Sequence, residues 1–425
     1  MSRRTQPICP QWQHLQWCAG IDWGRQTHHV VLVDPDGRIR LDMPFDHDAE
    51  GWDRLRRAFR QLAGEDLSVV GVAIETRSGP AVEKLLELGC TVFPMHPKAA
   101  QRYRDRKAPS GVKDDGLDAW SFGDALRTDG YSWRAMDPED PLTQELRLVC
   151  RDEVGLIERR TALINELRQA LHEYYPAALE AFADWTSPAA WAFVKRFPTP
   201  QKLRQAGQRR WEKFLHTHRL YRPQTYSHRM EVFSRATGLC GSQPVTQAKS
   251  LLAESLVQEL RNLQTQIDRY RKRIQQLFDQ HPRREVFDSL PGAAEILAPR
   301  LLSECSSLPS RFDDADGMRC YAGTAPVQYE SGQIRRVRLR RSCNKHLRAA
   351  MHLWVNASRR KCAWAQVYYQ RKRQEGKSHA CALRCLGQRW LKILWKMLET
   401  NRPYDEAYHT RNQVRHGSWV LALQP

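Results

Sequence analysis

The sequence lacks any apolar stretch long enough to cross a membrane. No run approaches the roughly 18 apolar residues that a membrane-spanning helix needs, and Met1 to Gly20 contain no apolar core of signal-peptide length. The sequence also lacks a pair of cysteines at CxxC spacing, although it contains 11 cysteines. We therefore expect a cytoplasmic protein without a membrane partner, whose cysteines are mostly buried thiols rather than disulfides.

Acidic residues are few relative to basic ones. The 425 residues include 48 Asp and Glu against 67 Lys and Arg, which gives a formal net charge of +19. Such a surplus attracts polyanions, so nucleic acid is the expected partner, the alternative being a basic protein whose charge serves only solubility. Because single hydrophobic cores stop growing at roughly 250–300 residues, we expect at least two domains.

The N-terminal part alternates strand and helix patterns. Residues 17–24, 28–34 and 38–45 are short runs rich in Val, Ile and aromatics, and Asp36-Gly37 is a strong turn signal between the last two. A helix, a strand, a helix, a strand and a helix are predicted to follow, at 50–62, 68–74, 80–88, 90–95 and 115–127. This order predicts an α/β domain over 17–135, after an N-terminal extension at 1–16.

The rest of the chain is predicted to be mainly helical. A helical and coiled-coil region is expected over 136–282, with an insertion at 176–250 for which the sequence has no clear period. The coiled coil is predicted from heptad spacing, and the alternative is a long amphipathic helix lying on its own core. The heptad positions are Leu256, Leu260, Leu263, Ile267, Tyr270, Ile274 and Leu277. A C-terminal domain at 283–410 and a tail at 411–425 complete the division.

Four acidic residues are candidates for a metal site. Asp22 and Glu75 each end an apolar strand run, and a carboxylate there needs compensating positive charge. Asp115 and Asp118 are three residues apart at a helix start and therefore share a face. Acids in a first helical turn are also common because of the helix dipole alone. Clustered carboxylates favour Mg²⁺ or Mn²⁺.

The order of these acids favours one chemistry. Asp on a first strand, Glu on a later strand and two Asp on a helix after the sheet is the order found in RNase H-like nucleases. Two metal ions about 4 Å apart can activate a nucleophile and stabilise the leaving oxygen of a phosphoryl displacement. We therefore predict that Asp22, Glu75, Asp115 and Asp118 are catalytic metal ligands.

Long motifs along the chain resemble a known family, the insertion-sequence transposases that have a DEDD tetrad and a domain like the Holliday-junction resolvases. The resemblance rests on GIDWG with Asp22, AIET with Glu75, RYRDRKAPSGVKDDGLDAW, FPMHP, SLPG, RFDDADGMRCYAGTAPVQYESG, CNKHLRAAMHLW and SHACALRCLGQRWLKILWKM. It implies an RNase H-like α/β domain, a mainly α C-terminal transposase domain, and a site-specific DNA recombinase of an insertion sequence. It also implies an element-encoded guide RNA, a homodimer or homotetramer, and a nucleoid-associated location. Asp114 is a third acid beside Asp115, so either of them could be the ligand.

The resemblance assigns a nucleophilic serine to Ser331. From the residues alone, Ser331-Gly332 is a turn, and the alternation that follows predicts a half-buried strand. Ser342 is the outside alternative for the nucleophile. A basic strip follows the turn and is predicted to bind nucleic acid through Arg335, Arg336, Arg338, Arg340, Arg341, Lys345 and Arg348. The alternative functions are a metal-dependent junction nuclease that uses water and a catalytically inactive nucleic-acid-binding derivative.

Overall fold

The structure is a computed structural model that describes residues 9–107, 114–137 and 140–417. The chain divides into two compact units, Met1–Glu139 and Asp140–Pro425. In the described ranges, every helix is too short or too polar to span a bilayer. The 11 cysteines are all free thiols, six of them buried, which confirms the expectation that they do not form disulfides.

Among its described residues, the first unit contains five strands and five α-helices. In chain order they are α1 (Pro10–Gln13), β1 (Trp17–Trp23), β2 (Thr27–Val33), β3 (Ile39–Asp46), α2 (Ala49–Ala63), β4 (Val70–Ile74), α3 (Pro80–Glu87), β5 (Thr91–Pro94), α4 (Pro97–Lys107) and α5 (Asp115–Asp129). Short 3₁₀ turns cover Leu67–Val69 and Gly130–Ser132. The predicted strands and helices of this region are confirmed, with ends that differ by one or two residues.

The five strands form one mixed sheet in the order β3-β2-β1-β4-β5. The first three strands are an antiparallel meander, whereas β4 and β5 join parallel to β1. Parallel neighbours need a crossover, and the chain makes these crossovers through α2 and α3. As a result, the carboxyl ends of β1 and β4 lie side by side at the same edge of the sheet.

Helices cover both faces of this sheet, which makes the first unit a three-layer α/β domain. Side chains of α2 and α3, including Phe59 and Leu85, share one core with Ala19 and Ile21 of β1. On the other face, Phe122 and Leu126 of α5 form a second core with strand residues. Both sides of β2 and β4 are covered, which explains their near-continuous apolar runs, whereas the edge strand β3 is mostly exposed.

Over the described residues 140–417, the second unit is helical apart from one hairpin. Its elements are α6 (Pro141–Tyr174), α7 (Pro176–Ala181), α8 (Pro188–Arg196), α9 (Pro200–Ala206), α10 (Gln208–Thr217), α11 (Pro223–Ser234), α12 (Gln243–Gln280), α13 (Arg284–Asp288), α14 (Ala294–Cys305), α15 (Leu308–Arg311), α16 (Ala315–Tyr321), β6 (Val327–Ser331), β7 (Ile334–Arg338), α17 (Lys345–Ser358), α18 (Ala363–Gln374), α19 (His379–Thr400) and α20 (Glu406–Arg415).

Two long helices organise the second unit. Helix α6 has 34 residues and α12 has 38, and the two pack against each other along much of their length. Leu260 and Ile267 of the heptad seam are fully buried within this single chain. The heptad seam of α12 is therefore covered by α6 of the same chain, which precedes the insertion and packs antiparallel to α12. Self-association through another surface stays a prediction.

Each end of the helix pair carries its own core. The insertion at 176–250 forms five short helices whose aromatic residues, among them Trp191 and Phe193, pack against the end of α6 and the start of α12. The other core joins the start of α6 and the end of α12 to helices α13 to α19, with Trp354 and Trp390 fully buried. The division between 136–282 and 283–410 stays a prediction, because α12 contributes to both cores.

The hairpin β6–β7 differs from its prediction. Ser331-Gly332 is a turn, as expected, and Gly332 has a φ of 55°. However, all ten residues of the two strands are exposed, so the expectation of a half-buried strand is wrong. The alternation of charged and apolar residues was typical of a covered strand, but no element of the described chain packs on either face enough to bury it.

Candidate functional site

Asp22 and Glu75 lie at neighbouring positions on the edge of the sheet. Ile21 of β1 is paired in register with Ile74 of β4, so the residues that follow them are adjacent. Both side chains are half-buried. The parallel pairing of β1 and β4 is what brings together two acids that are 53 positions apart in sequence.

Helix α5 supplies the other two acids. Asp114 is its N-cap, and the Asp114 carboxylate accepts a hydrogen bond from the Leu117 amide at 2.9 Å. Asp115 occupies the first helical turn and is exposed, whereas Asp118 is only 1% exposed. The geometry therefore gives Asp114 a capping role and favours Asp115, over Asp114, as the acid facing the sheet.

A close helix–strand approach sets this arrangement. Gly20 of β1 faces α5, and a Cβ at that position would lie 2.0 Å from the Ala119 carbonyl oxygen and 2.5 Å from the Gly123 amide nitrogen. Only glycine allows β1 and α5 to come so close. Asp22 is two residues further along the same face of β1, and Asp118 precedes Ala119, so the contact places both acids at one end of the same interface.

Electrostatics show that the acids act on one another. Burial, together with the carboxylates of Asp118, Asp115 and Glu75, raises the pKa of Asp22 to about 6, although Arg104 opposes the shift. Like charges near a carboxyl disfavour its charged form, and a nearby cation offsets that effect. The four acids predicted from the sequence therefore share one electrostatic site.

Arg104 of α4 is the cation that the structure places there. Its Nε lies 2.6 Å from Oδ1 of Asp118, and one of its terminal nitrogens lies 3.9 Å from Oε2 of Glu75. The Asp118 side chain is 2% exposed and the Arg104 side chain 25%, so this ion pair is largely shielded from solvent. The guanidinium thus neutralises part of the acid site.

The donor set is suited to a hard divalent cation. All four side chains offer carboxylate oxygens, which Mg²⁺ and Mn²⁺ prefer. In the described ranges, no three His, Cys, Asp or Glu side chains are arranged so that they could hold one ion together. The four acids thus match a divalent cation by the type of their donor atoms, but not by the side-chain geometry of this structure.

A histidine that the sequence did not single out adjoins the acids. His29 is paired in register with Asp22 on the neighbouring strand, and its Nε2 lies 2.6 Å from Oδ1 of Asp42. A Cβ on Gly116 would lie 3.2 Å from His29 Nε2, so the imidazole also touches the first turn of α5. The sequence offered no signal for this pair, because His29 and Asp42 become neighbours only through the meander.

Ser331 lies at the tip of the exposed hairpin in the second unit. Opposite residues of an antiparallel pair share a face, and Tyr329 is opposite Arg336. The Ser331 face carries Val327, Tyr329, Ile334, Arg336 and Arg338, and the other face carries Gln328, Glu330, Arg335 and Val337. The Arg338 guanidinium lies 4.9 Å from the Tyr329 ring centroid, a cation–π distance that holds it on the serine face.

The predicted basic strip is spread over three local structures. Arg335, Arg336 and Arg338 belong to β7, and Arg335 lies 3.9 Å from Glu330 of the opposite strand. Arg340 and Arg341 follow the strand, and Arg340 donates to the Ala325 carbonyl at 3.3 Å. Lys345 and Arg348 lie in the first turns of α17, and Ser342 is exposed in the connection before that helix.

A buried polar network anchors the foot of the hairpin. Asn344, the N-cap of α17, donates to Glu304 at 2.6 Å and to the Tyr321 hydroxyl at 2.9 Å. Burial alone would raise the pKa of Glu304, but hydrogen bonds from Arg151 and Asn344 hold that pKa below its usual value. A charged, fully bonded carboxylate therefore ties the basic segment to α6 and α14.

Comparisons with known proteins fit this architecture. Residues 19–176 match a family described as Transposase, and residues 284–370 match a family described as Transposase IS116/IS110/IS902. These matches cover the acid-bearing unit and the segment around Ser331, so the class of protein is a transposase.

Relatives of nearly full length define the family. A Streptomyces coelicolor protein, whose name ascribes to it the transposase role in the IS117 mini-circle, is 31% identical over 91% of this chain and 95% of its own length. A 42 kDa protein of insertion element IS900 from Mycobacterium paratuberculosis is 28% identical over 92% of this chain and 98% of its own. The chain therefore belongs to the IS110 family of insertion-sequence transposases.

Proposed function

We propose that this transposase cleaves and rejoins DNA strands with an RNase H-like DEDD site and a serine nucleophile. The observation that supports this most directly is the electrostatic coupling of Asp22, Glu75, Asp115 and Asp118 at one sheet edge. Their order on two adjacent strands and one helix is that of RNase H-like nucleases. The site would hold Mg²⁺ or Mn²⁺, which supplies charge stabilisation at a phosphodiester and activation of the attacking oxygen.

Ser331 is the proposed nucleophile of strand exchange. Its Oγ attacks a DNA phosphorus, the bond from phosphorus to one deoxyribose oxygen breaks, and the serine proton is transferred so that the leaving oxygen departs as a hydroxyl. The phosphoserine ester preserves the phosphodiester's energy, so a second DNA hydroxyl can reverse the step without ATP. A free serine hydroxyl is a poor nucleophile and requires activation. Full exposure on a hairpin tip leaves Ser331 accessible to a duplex.

We propose that the basic hairpin β6–β7 binds DNA. An isolated two-stranded hairpin is marginally stable in water and is completed by a partner. This one exposes Val337 at 71% and Ile334 at 50% between arginines, and has a single acid, Glu330. A two-stranded ribbon fits the major groove, and guanidiniums bind phosphates bidentately. We therefore assign DNA contacts to Arg335, Arg336, Arg338, Arg340, Arg341, Lys345 and Arg348.

Two further assignments rest on the family resemblance. We propose that an element-encoded guide RNA selects the DNA, and that the active form is a homodimer or homotetramer. The net charge of +19 is compatible with binding both nucleic acids.

The acid site is tested by removing one charge at a time. In a bacterial host that carries the insertion sequence with its native flanks, Asp22→Asn and Asp118→Asn should abolish excision while the purified chains still bind nucleic acid. Asp114→Asn is the matched control, since Asn caps helices as well as Asp does. Normal excision by Asp22→Asn or Asp118→Asn would overturn the acid site.

A further inference from the structure

The acid site contains a built-in positive charge whose role is not explained by fold stability alone. Arg104 belongs to α4, and it reaches across to residues of β4's end and of α5. Its partners Glu75 and Asp118 are two of the four proposed metal ligands, so the guanidinium and a divalent cation would need the same carboxylate oxygens.

We propose that Arg104 is a positioning residue that occupies the acid site in the metal-free chain and is displaced when a divalent cation binds. The proposal rests on the proposed function, because it takes Glu75 and Asp118 as metal ligands.

The geometry of the pair supports displacement rather than a permanent structural role. The contact uses Nε of Arg104 and Oδ1 of Asp118 at 2.6 Å, with the second acid only at 3.9 Å. A permanent structural arginine in this protein looks different: Arg151 donates to both oxygens of Glu304, at 2.8 and 3.0 Å, and Asn344 also donates to that carboxylate. Within the described residues, Arg104 makes one close ion pair, its buried Nε has no hydrogen-bond partner, and its side chain as a whole is 25% exposed.

Another acid of α5 shows what permanent neutralisation requires. Asp124 is 4% exposed and lies 2.5 Å from Lys107 and 2.6 Å from Arg127, so two cations face one carboxylate. At the acid site the ratio is reversed: among the described residues, Arg104 is the cation that acts on Asp22, against the three carboxylates of Asp118, Asp115 and Glu75. One guanidinium has a charge of +1 and cannot neutralise four carboxylates. A divalent cation at the same site brings a charge of +2.

Displacement of Arg104 by the metal and a purely structural role of Arg104 predict different changes in Mn²⁺ affinity. If Arg104 competes with the metal, Arg104→Gln should bind Mn²⁺ about tenfold more tightly than wild type, the size expected for one close charge pair. If Arg104 only shapes the site, the same substitution should weaken Mn²⁺ binding or leave it unchanged.

Mn²⁺ dissociation constants for the full-length chain, without DNA or RNA, can be measured from the free-ion paramagnetic resonance signal. Arg106→Gln is the matched control, because Arg106 is on the same helix and pairs with Asp129 at 3.9 Å in an exposed position. Asp118→Asn should abolish the binding. Tighter binding by Arg104→Gln and unchanged binding by Arg106→Gln support the proposal. Equal or weaker binding by Arg104→Gln overturns it, and absence of Mn²⁺ binding to wild type overturns the metal site as well.

A second measurement serves if Arg104→Gln does not fold. In the ¹⁵N-arginine-labelled wild-type chain, the Arg104 Nε–H signal can be assigned by its loss in Arg104→Lys. It should change during a Mg²⁺ titration in proportion to site occupancy. A signal that stays unchanged at saturating Mg²⁺ overturns the proposal.

Discussion

Gly20 of β1 and Ala119 of α5 are in direct backbone contact, since a Cβ on Gly20 would lie 2.0 Å from the Ala119 carbonyl oxygen. This contact sets the distance between the strand that carries Asp22 and the helix that carries Asp118. The acid site therefore depends on a residue that has no side chain.

Gly20→Ala should destabilise the first unit by about 3 kcal/mol or more, because overpacking that meets backbone cannot be relieved by a side-chain rotation. Chemical denaturation followed by the tryptophan signal measures the effect. Gly155→Ala, in α6, is the control of opposite sign: nothing lies within 4 Å of its Cβ, so the helix should gain about 0.5–1 kcal/mol. A Gly20→Ala protein as stable as wild type would show that β1 and α5 are not held this close.

The pH dependence of stability should include a contribution from His28. Burial and the neighbouring His47 together lower the pKa of His28 to about 4, and His28 Nε2 lies 2.8 Å from His47 Nδ1. An unfolded histidine has a pKa of about 6.5, so between pH 6.5 and 4 the unfolded chain binds the extra proton. The contribution of neutral His28 to stability is complete above pH 6.5 and is lost as the pH falls toward 4. Over this range the free energy of unfolding falls by at most about 1.4 kcal/mol per pH unit.

The comparison with His28→Gln isolates this contribution, because Gln keeps a hydrogen-bonding group and does not titrate. The stability difference between the two proteins should shrink as pH falls from 6.5 to 4. Parallel stability curves would mean that His28 is protonated as easily in the folded chain as in the unfolded one.

The heptad seam should stabilise the single chain. Ile267 is fully buried on α12, and near it Arg160 of α6 donates to Gln264 of α12 at 2.6 Å. Ile267→Ala should lower the free energy of unfolding by about 2–5 kcal/mol. Leu251→Ala on the same helix should cost little, because Leu251 is 70% exposed. Light scattering should give the same mass for Ile267→Ala as for wild type. A fall in mass would instead indicate that α12 forms a coiled coil between two chains.

The two faces of the hairpin should respond differently to loss of charge. Arg336 shares a face with Ser331, whereas Arg335 is on the opposite face beside Glu330. Arg336→Ala should reduce strand exchange strongly and lower the salt dependence of DNA binding by roughly one unit of slope. Arg335→Ala should have a smaller effect on both, and equal losses from the two variants would contradict the assignment of the serine face.

Most of the first unit could be predicted from sequence because its signals are local, although the helices α1 and α4 were missed. Alternation and turn residues place the strands, and Asp22 and Glu75 follow apolar runs whose ends are visible in the sequence. The choice between Asp114 and Asp115 as metal ligand stays a prediction; the structure adds that the Asp114 side chain caps α5 by accepting from the Leu117 amide.

What the sequence could not reveal depends on contacts between distant segments. The ion pair of Arg104 with Asp118 and the pair of His29 with Asp42 arise from packing and strand pairing. The heptads of α12 predicted that another helix packs against it. They could not show that this helix is α6 of the same chain. The alternation of charged and apolar residues in the hairpin likewise could not distinguish a strand that is half-buried in this chain from one that is exposed.

The most direct test of the account is a search for a covalent protein–DNA species that depends on Ser331. Wild type and Ser342→Ala, incubated with Mg²⁺ and DNA carrying the insertion sequence and its flanks, should each yield a denaturant-resistant adduct. Ser331→Ala should yield none while binding DNA with unchanged affinity. An adduct formed by Ser331→Ala, or wild-type cleavage without any adduct, would contradict the serine mechanism, and the latter would identify a nuclease that uses water.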